Sequence, residues 1–385
     1  MIILTETKQQ MTKILRTYIL LSLLLMTVFC ISCNGHTSSN QTDTKKDSSA
    51  TKKQSPRIIR TGTQSENVNC QLLDKDGNIW FSIKGEGAYR YDGISFTNFT
   101  MRNGLCNNDV NAIIQDRTGN ILLGTNNGIC KYDGKTCTKY PIPDTLSIIC
   151  MLEDKDGNIW FGAKNKGIYR YDGRSLTTIL YTYKHVKFGE KQEKYVSDII
   201  QDKSGNIWFS SWNRGGVWRY DGTILTQFLP SADYYEYFED ERSNARLTTY
   251  TRYTHSPKYI TDDMISSITE DKAGNIWFAT RRHGLCRYDG NMFTSFGKNE
   301  GFLSEGAHTV FEDTKGTLWF TTDKDGIWCY DGKTFKNYNK ADGLIHNSVM
   351  NVLEDKEGNL WFGTRWCGLS RFDGKTFTTF SESDN

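Results

Sequence analysis

The sequence predicts an all-β fold: a seven-bladed β-propeller with four antiparallel strands in each blade. Three observations carry that expectation. A turn glycine recurs at Gly77, Gly119, Gly157, Gly205, Gly274, Gly316 and Gly358, at spacings of 42, 38, 48, 69, 42 and 42 residues. An Asp-Gly pair follows each one, beginning at Asp92, Asp133, Asp172, Asp221, Asp289, Asp331 and Asp373. Between the two stand runs such as Ile159-Trp160-Phe161, apolar on both sides, where a half-exposed strand would alternate. A strand covered on both faces belongs between neighbouring sheets, and copies of about 45 residues match a four-stranded blade.

Composition points the same way. The 385 residues include 20 Tyr, 20 Phe, 10 Trp and 34 Gly but only 5 Pro, a mixture suited to tight turns between aromatic strands. Net charge is +2 and no basic block stands out, which argues against a nucleic-acid partner.

Residues 1–32 read as an export signal. Lys13 and Arg16 precede an apolar run over 18–29 that is too short to span a bilayer comfortably, and Met11 is a second possible start. The run ends in Cys30-Ile31-Ser32-Cys33, which resembles a bacterial lipobox, with Cys30 where an aliphatic residue is usual. The resemblance implies cleavage before Cys33 and acylation of its thiol; an ordinary secretory signal is the alternative. Residues 33–57 are Ser, Thr, Lys, Asp and Asn with almost no apolar side chain, the composition of a flexible tether. The propeller is expected over 58–385. Whether Ile58-Ile59 adds a strand that closes the ring is not readable from sequence.

Within a copy the turn chemistry places four strands. In the second copy they are expected over 110–115, 120–125, 128–132 and 135–139. The Asp-x-x-Gly-Asn link supplies an Asx acceptor and a glycine for positive φ, and Asp-Gly reads as a two-residue type I′ hairpin. Four residues before each turn Asp stand Cys70, Ala112, Cys150, Asp198, Ser267, Thr309 and Asn351, all short, as expected where blades converge on an axis.

The run Glu354-Asp355-Lys356-Glu357-Gly358-Asn359-Leu360-Trp361-Phe362-Gly363-Thr364 and its copies resemble the two-component-regulator propeller repeat. That repeat builds the periplasmic sensor propellers of hybrid two-component systems in Bacteroidetes. The resemblance covers about 67–380 and is weaker in the second copy, where Leu122 replaces Trp. Such sensors continue into a β-sandwich, a membrane span and a kinase, whereas this sequence stops at Asn385. The resemblance therefore implies an extracytoplasmic recognition module without its own signalling output.

In a propeller the A–B and C–D turns share one face, and the B–C and D–A links share the other. The first face is filled by repeated turn residues; the second carries the variation. Four residues after the strand Trp the copies hold Lys84, Asn126, Lys164, Trp212, Arg281, Asp323 and Arg365, flanked by Arg282, His283 and Trp366. Cations and Trp on one rim suit an anionic or sugar-like ligand; solvated loop charges are the alternative. The long link after the fourth blade carries Tyr234-Tyr235-Glu236-Tyr237-Phe238 and more aromatics, a second candidate surface with Tyr235 and Tyr237 in it.

Other signals are weaker. Asp74-Lys75-Asp76-Gly77-Asn78 opens like a calcium loop, but other copies carry Thr118, Ser204, Ala273 or Lys315 in place of Asp76, so a turn is expected and no metal or other cofactor. The motif is also similar to the Asp-box of sialidases, itself a structural hairpin. His308 falls in an A strand, whereas His283 and His346 fall in links on the variable face; that His pair with Glu305 could run acid–base chemistry, as streptogramin lyases do on such a face. Cys130 and Cys137 flank Asp133-Gly134 and, counted outward from a two-residue turn, stand directly opposite, so a disulfide is a candidate beside two buried thiols.

No catalytic signature emerges. The expectation is a monomeric propeller lipoprotein that binds a small molecule or glycan fragment, or docks an envelope protein. It would touch the membrane only through its lipid, on the periplasmic side sooner than the cell surface. A lyase or glycan-active enzyme and a structural scaffold are the alternatives.

Overall fold

The protein is described from a computed structural model, over residues 68–181, 196–211, 217–228, 246–249, 264–365 and 368–380. The signal, the tether, Cys30, Cys33 and Ile58-Ile59 lie outside these residues.

Seven antiparallel sheets follow one another along the chain, each with its four strands in sequence order. Blade 1 comprises Val68–Leu73, Ile79–Ile83, Gly87–Tyr91 and Phe96–Phe99; blade 7 comprises Val349–Glu354, Leu360–Thr364, Leu369–Phe372 and Phe377–Phe380. Each end of the described ring is thus a complete blade, with no strand exchanged between them. Blade 4 carries an unexpected fifth strand, Arg246–Thr249, which pairs in parallel with Ile224–Phe228.

The Asp-x-x-Gly-Asn link is a carboxylate-centred turn. Asp154 Oδ1 accepts from the backbone N–H of Asp156 and Asn158, while Oδ2 accepts from Asn158 Nδ2 and, at 2.7 Å, from Trp160 Nε1. The same Trp-to-Asp bond recurs at Trp80, Trp208, Trp277, Trp319 and Trp361. These carboxylates are engaged by protein donors. Arg90, Arg170, Arg219 and Arg287 from the neighbouring C strands lie 5.7–5.9 Å over the Trp rings of their own blades.

The apolar B strands are buried on both sides because no blade has a core of its own. Seven hydrophobic clusters occur, and each spans two adjacent blades. The strand Trp reaches an aromatic ring on the C strand of the next blade, as Trp80 does to Tyr132 at 5.7 Å and Trp160 to Tyr220 at 5.8 Å. The ring closes by the same contact, Trp361 to Tyr91 at 5.6 Å. Burying each such side chain is worth about 1.5–3 kcal/mol, so blade-to-blade contact is the main stabilising term.

A polar belt supports it. The N–H groups of Lys75, Arg117, Lys155, Lys203, Lys272 and Thr314 donate at 2.6–2.8 Å to Gln115, Glu153, Gln201, Glu270, Glu312 and Glu354 of the following blade. Blade 1 has Leu73 at the acceptor position. Here Lys356 Nζ donates instead to the Lys75 carbonyl, and Asn351 Nδ2 to that of Val68. A side chain on Gly363 would stand 2.7 Å from Val68 Cγ1, so the seam also needs glycine for close approach.

The Asp-Gly link differs from its expectation. Tyr132 pairs with Cys137, and Asp133 Oδ1 accepts from the N–H of Lys135 and Thr136. Asp133 N donates to Thr136 O at 3.3 Å, so the tight link is Gly134-Lys135, one residue beyond the expected Asp133-Gly134, because the Asp133 carboxylate caps the turn from its first position. Strands B and D of blade 2 accordingly begin at Ile121 and Cys137. Cys130 faces Lys139, so Cys130 and Cys137 are diagonal, not opposite, and both are free thiols.

Candidate functional site

Both sets of variable links come together on one face. Arg281 N donates to Met264 O and Arg365 N to Ser348 O, tying each B–C corner to the D–A link before it. Gly284 N donates to Glu305 O and Gly326 N to Asn347 O, tying it to the link after.

The link over 297–308, between blades 5 and 6, shapes a cleft on this face. It begins with a 3-10 turn, Lys298–Glu300, and Phe302 is fully buried as its anchor. Gly306 then crosses the blade 5 corner so closely that a Cβ would lie 2.3 Å from the Thr280 and Arg281 carbonyl oxygens. Ala307 N donates to Thr280 O at 2.7 Å. The result is a cleft of about 460 Å³. Its walls carry Arg281 and Arg282 from blade 5, Lys298, Ser304 and Glu305 from the link, and Asp323, Lys324 and Asp325 from blade 6. Leu303, 62% exposed, also lines it. A smaller cavity of about 210 Å³ beside it includes His283 and Lys298.

At the cleft wall His308 Nε2 lies 2.8 Å from Asp323 Oδ1, and Arg365 Nη1 of blade 7 lies 3.4 Å from the same oxygen. The adjacent His308 imidazole holds the Asp323 carboxyl down at about 2, with the Arg365 and Arg281 charges adding to it against partial burial. Ser304 Oγ donates to Asp325 Oδ2 at 2.7 Å, which fixes the second carboxylate.

Of the residues expected from sequence, the structure gathers Arg281, Arg282, His283 and Arg365 in this region. Lys84 and Lys164 are exposed on blades 1 and 3 and do not line the cleft. Trp212, Trp366, Tyr235 and Tyr237 lie outside the described residues. His308 is not within a strand: blade 6 begins at Thr309, and His308 ends the link. Its pairing with Asp323 was not foreseen. Asp323 shares the position of Arg281 and Arg365 on consecutive blades, and that alternation of sign was the available signal. His346 accepts from Ser348 N through Nδ1, a local turn contact.

The family description "Two component regulator propeller" matches residues 104–127, 141–165, 191–213, 259–282 and 343–366. Five segments of the chain thus match the two-component regulator propeller repeat. Each match runs from a D–A link through strand B, in blades 2, 3, 4, 5 and 7. Blades 1 and 6 have the same strand order.

Among solved structures, the chain is similar to the extracellular domain assigned to the hybrid two component system BT4673 of B. thetaiotaomicron, at 22% identity and TM-score 0.60. The match covers 81% of this chain and 39% of that one. PorZ, a surface component of the type-IX secretion system of Porphyromonas gingivalis, matches at 16% identity and TM-score 0.58, over 83% of this chain and 48% of that one. A streptogramin B lyase matches at 16% identity and TM-score 0.59, over 81% and 94%. The chain thus spans less than half the length of the first two of these proteins, and all three similarities concern the fold. No curated protein matches the chain.

Proposed function

We propose that this chain is an exported, lipid-anchored binding propeller that takes an oligosaccharide fragment in the cleft between blades 5 and 6. The observation that carries the reading is convergence. Arg281, His308, Asp323 and Arg365 come from three blades and a link, yet meet at one wall. The cleft volume falls within the about 300–1,000 Å³ usual for ligand sites. Charged groups of both signs, the Ser304 hydroxyl and the exposed Leu303 side chain together offer hydrogen bonds and a small apolar contact, the mixture that grips a sugar. The similarity to an extracellular sensor domain supports export, and the Cys-Ile-Ser-Cys segment supports acylation of Cys33. Docking of an envelope protein on the same face is the competing use.

An enzymatic use of this face would call on the link histidines His283 and His346 with Glu305; Glu305 lines the cleft and His283 the smaller cavity beside it.

The test is a thermal-shift screen of the full chain with oligogalacturonides, heparin fragments and neutral malto-oligosaccharides, followed by calorimetric titration of any hit. Arg281→Ala with Arg365→Ala should weaken binding at least tenfold, and Lys84→Ala with Lys164→Ala should leave it unchanged. Equal affinity in all variants, or no hit beside a captured envelope protein, removes the sugar reading; product in the mixtures would turn it into catalysis. Mass spectrometry of the membrane-extracted protein should find a diacylated or triacylated Cys33.

A further inference from the structure

Three thiols meet on the opposite side of the ring from the cleft. Cys106 lies in the link between blades 1 and 2, Cys130 on strand Gly128–Tyr132 and Cys137 on strand Cys137–Lys139. Cys106 Sγ is 3.8 Å from the Ile129 carbonyl, next to Cys130, and Cys130 Sγ is 3.7 Å from the Gly104 carbonyl. Gly104 in turn lies against Cys137: a Cβ placed on it would be 3.6 Å from Cys137 Cβ. The three side chains pack into one hydrophobic cluster, with Cys130 fully buried and the other two half-buried. The thiols of Cys106 and Cys130 each donate to a backbone carbonyl beside another member of the cluster, Cys106 to Ile129 O next to Cys130 and Cys130 to Gly104 O next to Cys137. Cys150, Cys286 and Cys329, the other described cysteines, are on blades 3, 5 and 6.

We propose that Cys106, Cys130 and Cys137 form a thiol–disulfide exchange site that closes on oxidation as a Cys106–Cys130 bond, pinning the first inter-blade link to blade 2. The register decides which bond lasts. Cys130 and Cys137 are diagonal across an antiparallel pair, where Cβ atoms stand farther apart than the about 3.5–4.5 Å a relaxed disulfide requires. A bond between them is strained and therefore easily passed on. Cys106 comes from a link, whose backbone has more freedom than a strand to reach good geometry.

Burial and mutual proximity also set the entry point. The neighbouring Cys130 thiol lowers the Cys137 thiol below its ordinary range, against burial. Cys106 is raised by its neighbour Cys130 and by burial. Cys106 acts to lower Cys130, but Cys137 and burial prevail and bring it to about 11. The half-buried Cys137 is thus the thiolate available to attack.

The steps balance with an external low-molecular-weight disulfide as oxidant. Cys137 thiolate attacks it, forming a mixed disulfide and expelling one thiolate. Cys130 gives up its proton and attacks the Cys137 sulfur, expelling the second. Cys106 gives up its proton and attacks the Cys130 sulfur, which returns Cys137 as a thiolate. Two protein thiols are oxidised, one disulfide is reduced, and the two released protons end on the two small thiols.

The experiment treats the reduced full-length chain with oxidised glutathione, alkylates free thiols and maps tryptic peptides without reduction. Arg102, Arg117, Lys131 and Lys135 place the three cysteines in separate peptides. The expected product links the Cys106 and Cys130 peptides and leaves Cys137 alkylated. Cys137→Ser should slow that bond at least tenfold without changing it. Cys106→Ser should halt the reaction with Cys137 joined to glutathione or to Cys130. Alkylation of both Cys106 and Cys130 in the oxidised wild type overturns the site. Oxidation of Cys137→Ser at the wild-type rate, or an unmodified Cys137 in Cys106→Ser, overturns the exchange route.

Discussion

His308 Nε2 and Asp323 Oδ1, 2.8 Å apart, join the end of the blade 5–6 link to the B–C corner of blade 6. The link shapes the cleft, so this pair couples stability of the ring to the form of the site. The Asp323 carboxyl, lowered to about 2 by His308 first and then by Arg365 and Arg281, stabilises the fold above the ordinary aspartate range. That stability is lost as pH falls through about 2. With the side chain 32% exposed, Asp323→Asn should cost about 1 kcal/mol at pH 7. Urea unfolding checks it: the gap between variant and wild type should shrink steadily from pH 4 downward.

Asp198 works in the opposite sense. It lies on the blade 4 A strand facing blade 5, where its carboxylate accepts from the N–H of Ile199 and Ile268 at 2.8 Å. Burial nevertheless raises it to about 6. A carboxyl raised in the folded state favours folding most below the unfolded value near 3.8 and loses that contribution as pH climbs through about 6. Asp198→Asn removes the titration. Whatever its fixed cost, the stability of the variant relative to wild type should improve by about 1–3 kcal/mol between pH 4 and pH 7.5, measured by urea midpoints at each pH.

Blade 2 is a natural control for the Trp-to-Asp bond. Leu122 stands where other blades have Trp, and Asp116 takes a bond from Thr118 Oγ1 at 2.7 Å instead. Asp116 is half-buried, whereas Asp154 is buried and holds the Trp160 indole. Asp154→Ala strands that buried indole N–H, a loss of about 1–3 kcal/mol beyond the turn itself. Asp116→Ala should therefore destabilise less than Asp154→Ala by about that margin in equilibrium unfolding.

Gly306 and Gly297 frame the same link and should respond differently. A methyl on Gly306 would meet backbone oxygens at 2.3 Å, which forces the link off the blade 5 corner. A methyl on Gly297, at φ −137°, would have Glu300 Oε2 as its nearest neighbour, at 3.8 Å. Gly306→Ala should lose at least about 1–3 kcal/mol in thermal or urea unfolding, with Gly297→Ala close to wild type.

The sequence by itself determined the blade count, the four-strand order and the double-sided burial of the Trp-bearing strands. Those follow from local chemistry repeated seven times: a carboxylate and glycine at a turn, then Ile-Trp-Phe. Local chemistry also pointed to the corner positions of Arg281 and Arg365. It misjudged the Asp-Gly link, because which amides Asp133 would capture was not legible from the pair alone, and the register of Cys130 and Cys137 moved with it. Only the tertiary structure decided that His308 meets Asp323, that Cys106 meets Cys130, and that Trp361 closes on Tyr91. Each of these contacts joins different blades, or a link to a blade. Their distance is set by how sheets lean around an axis, a quantity that no single repeat encodes.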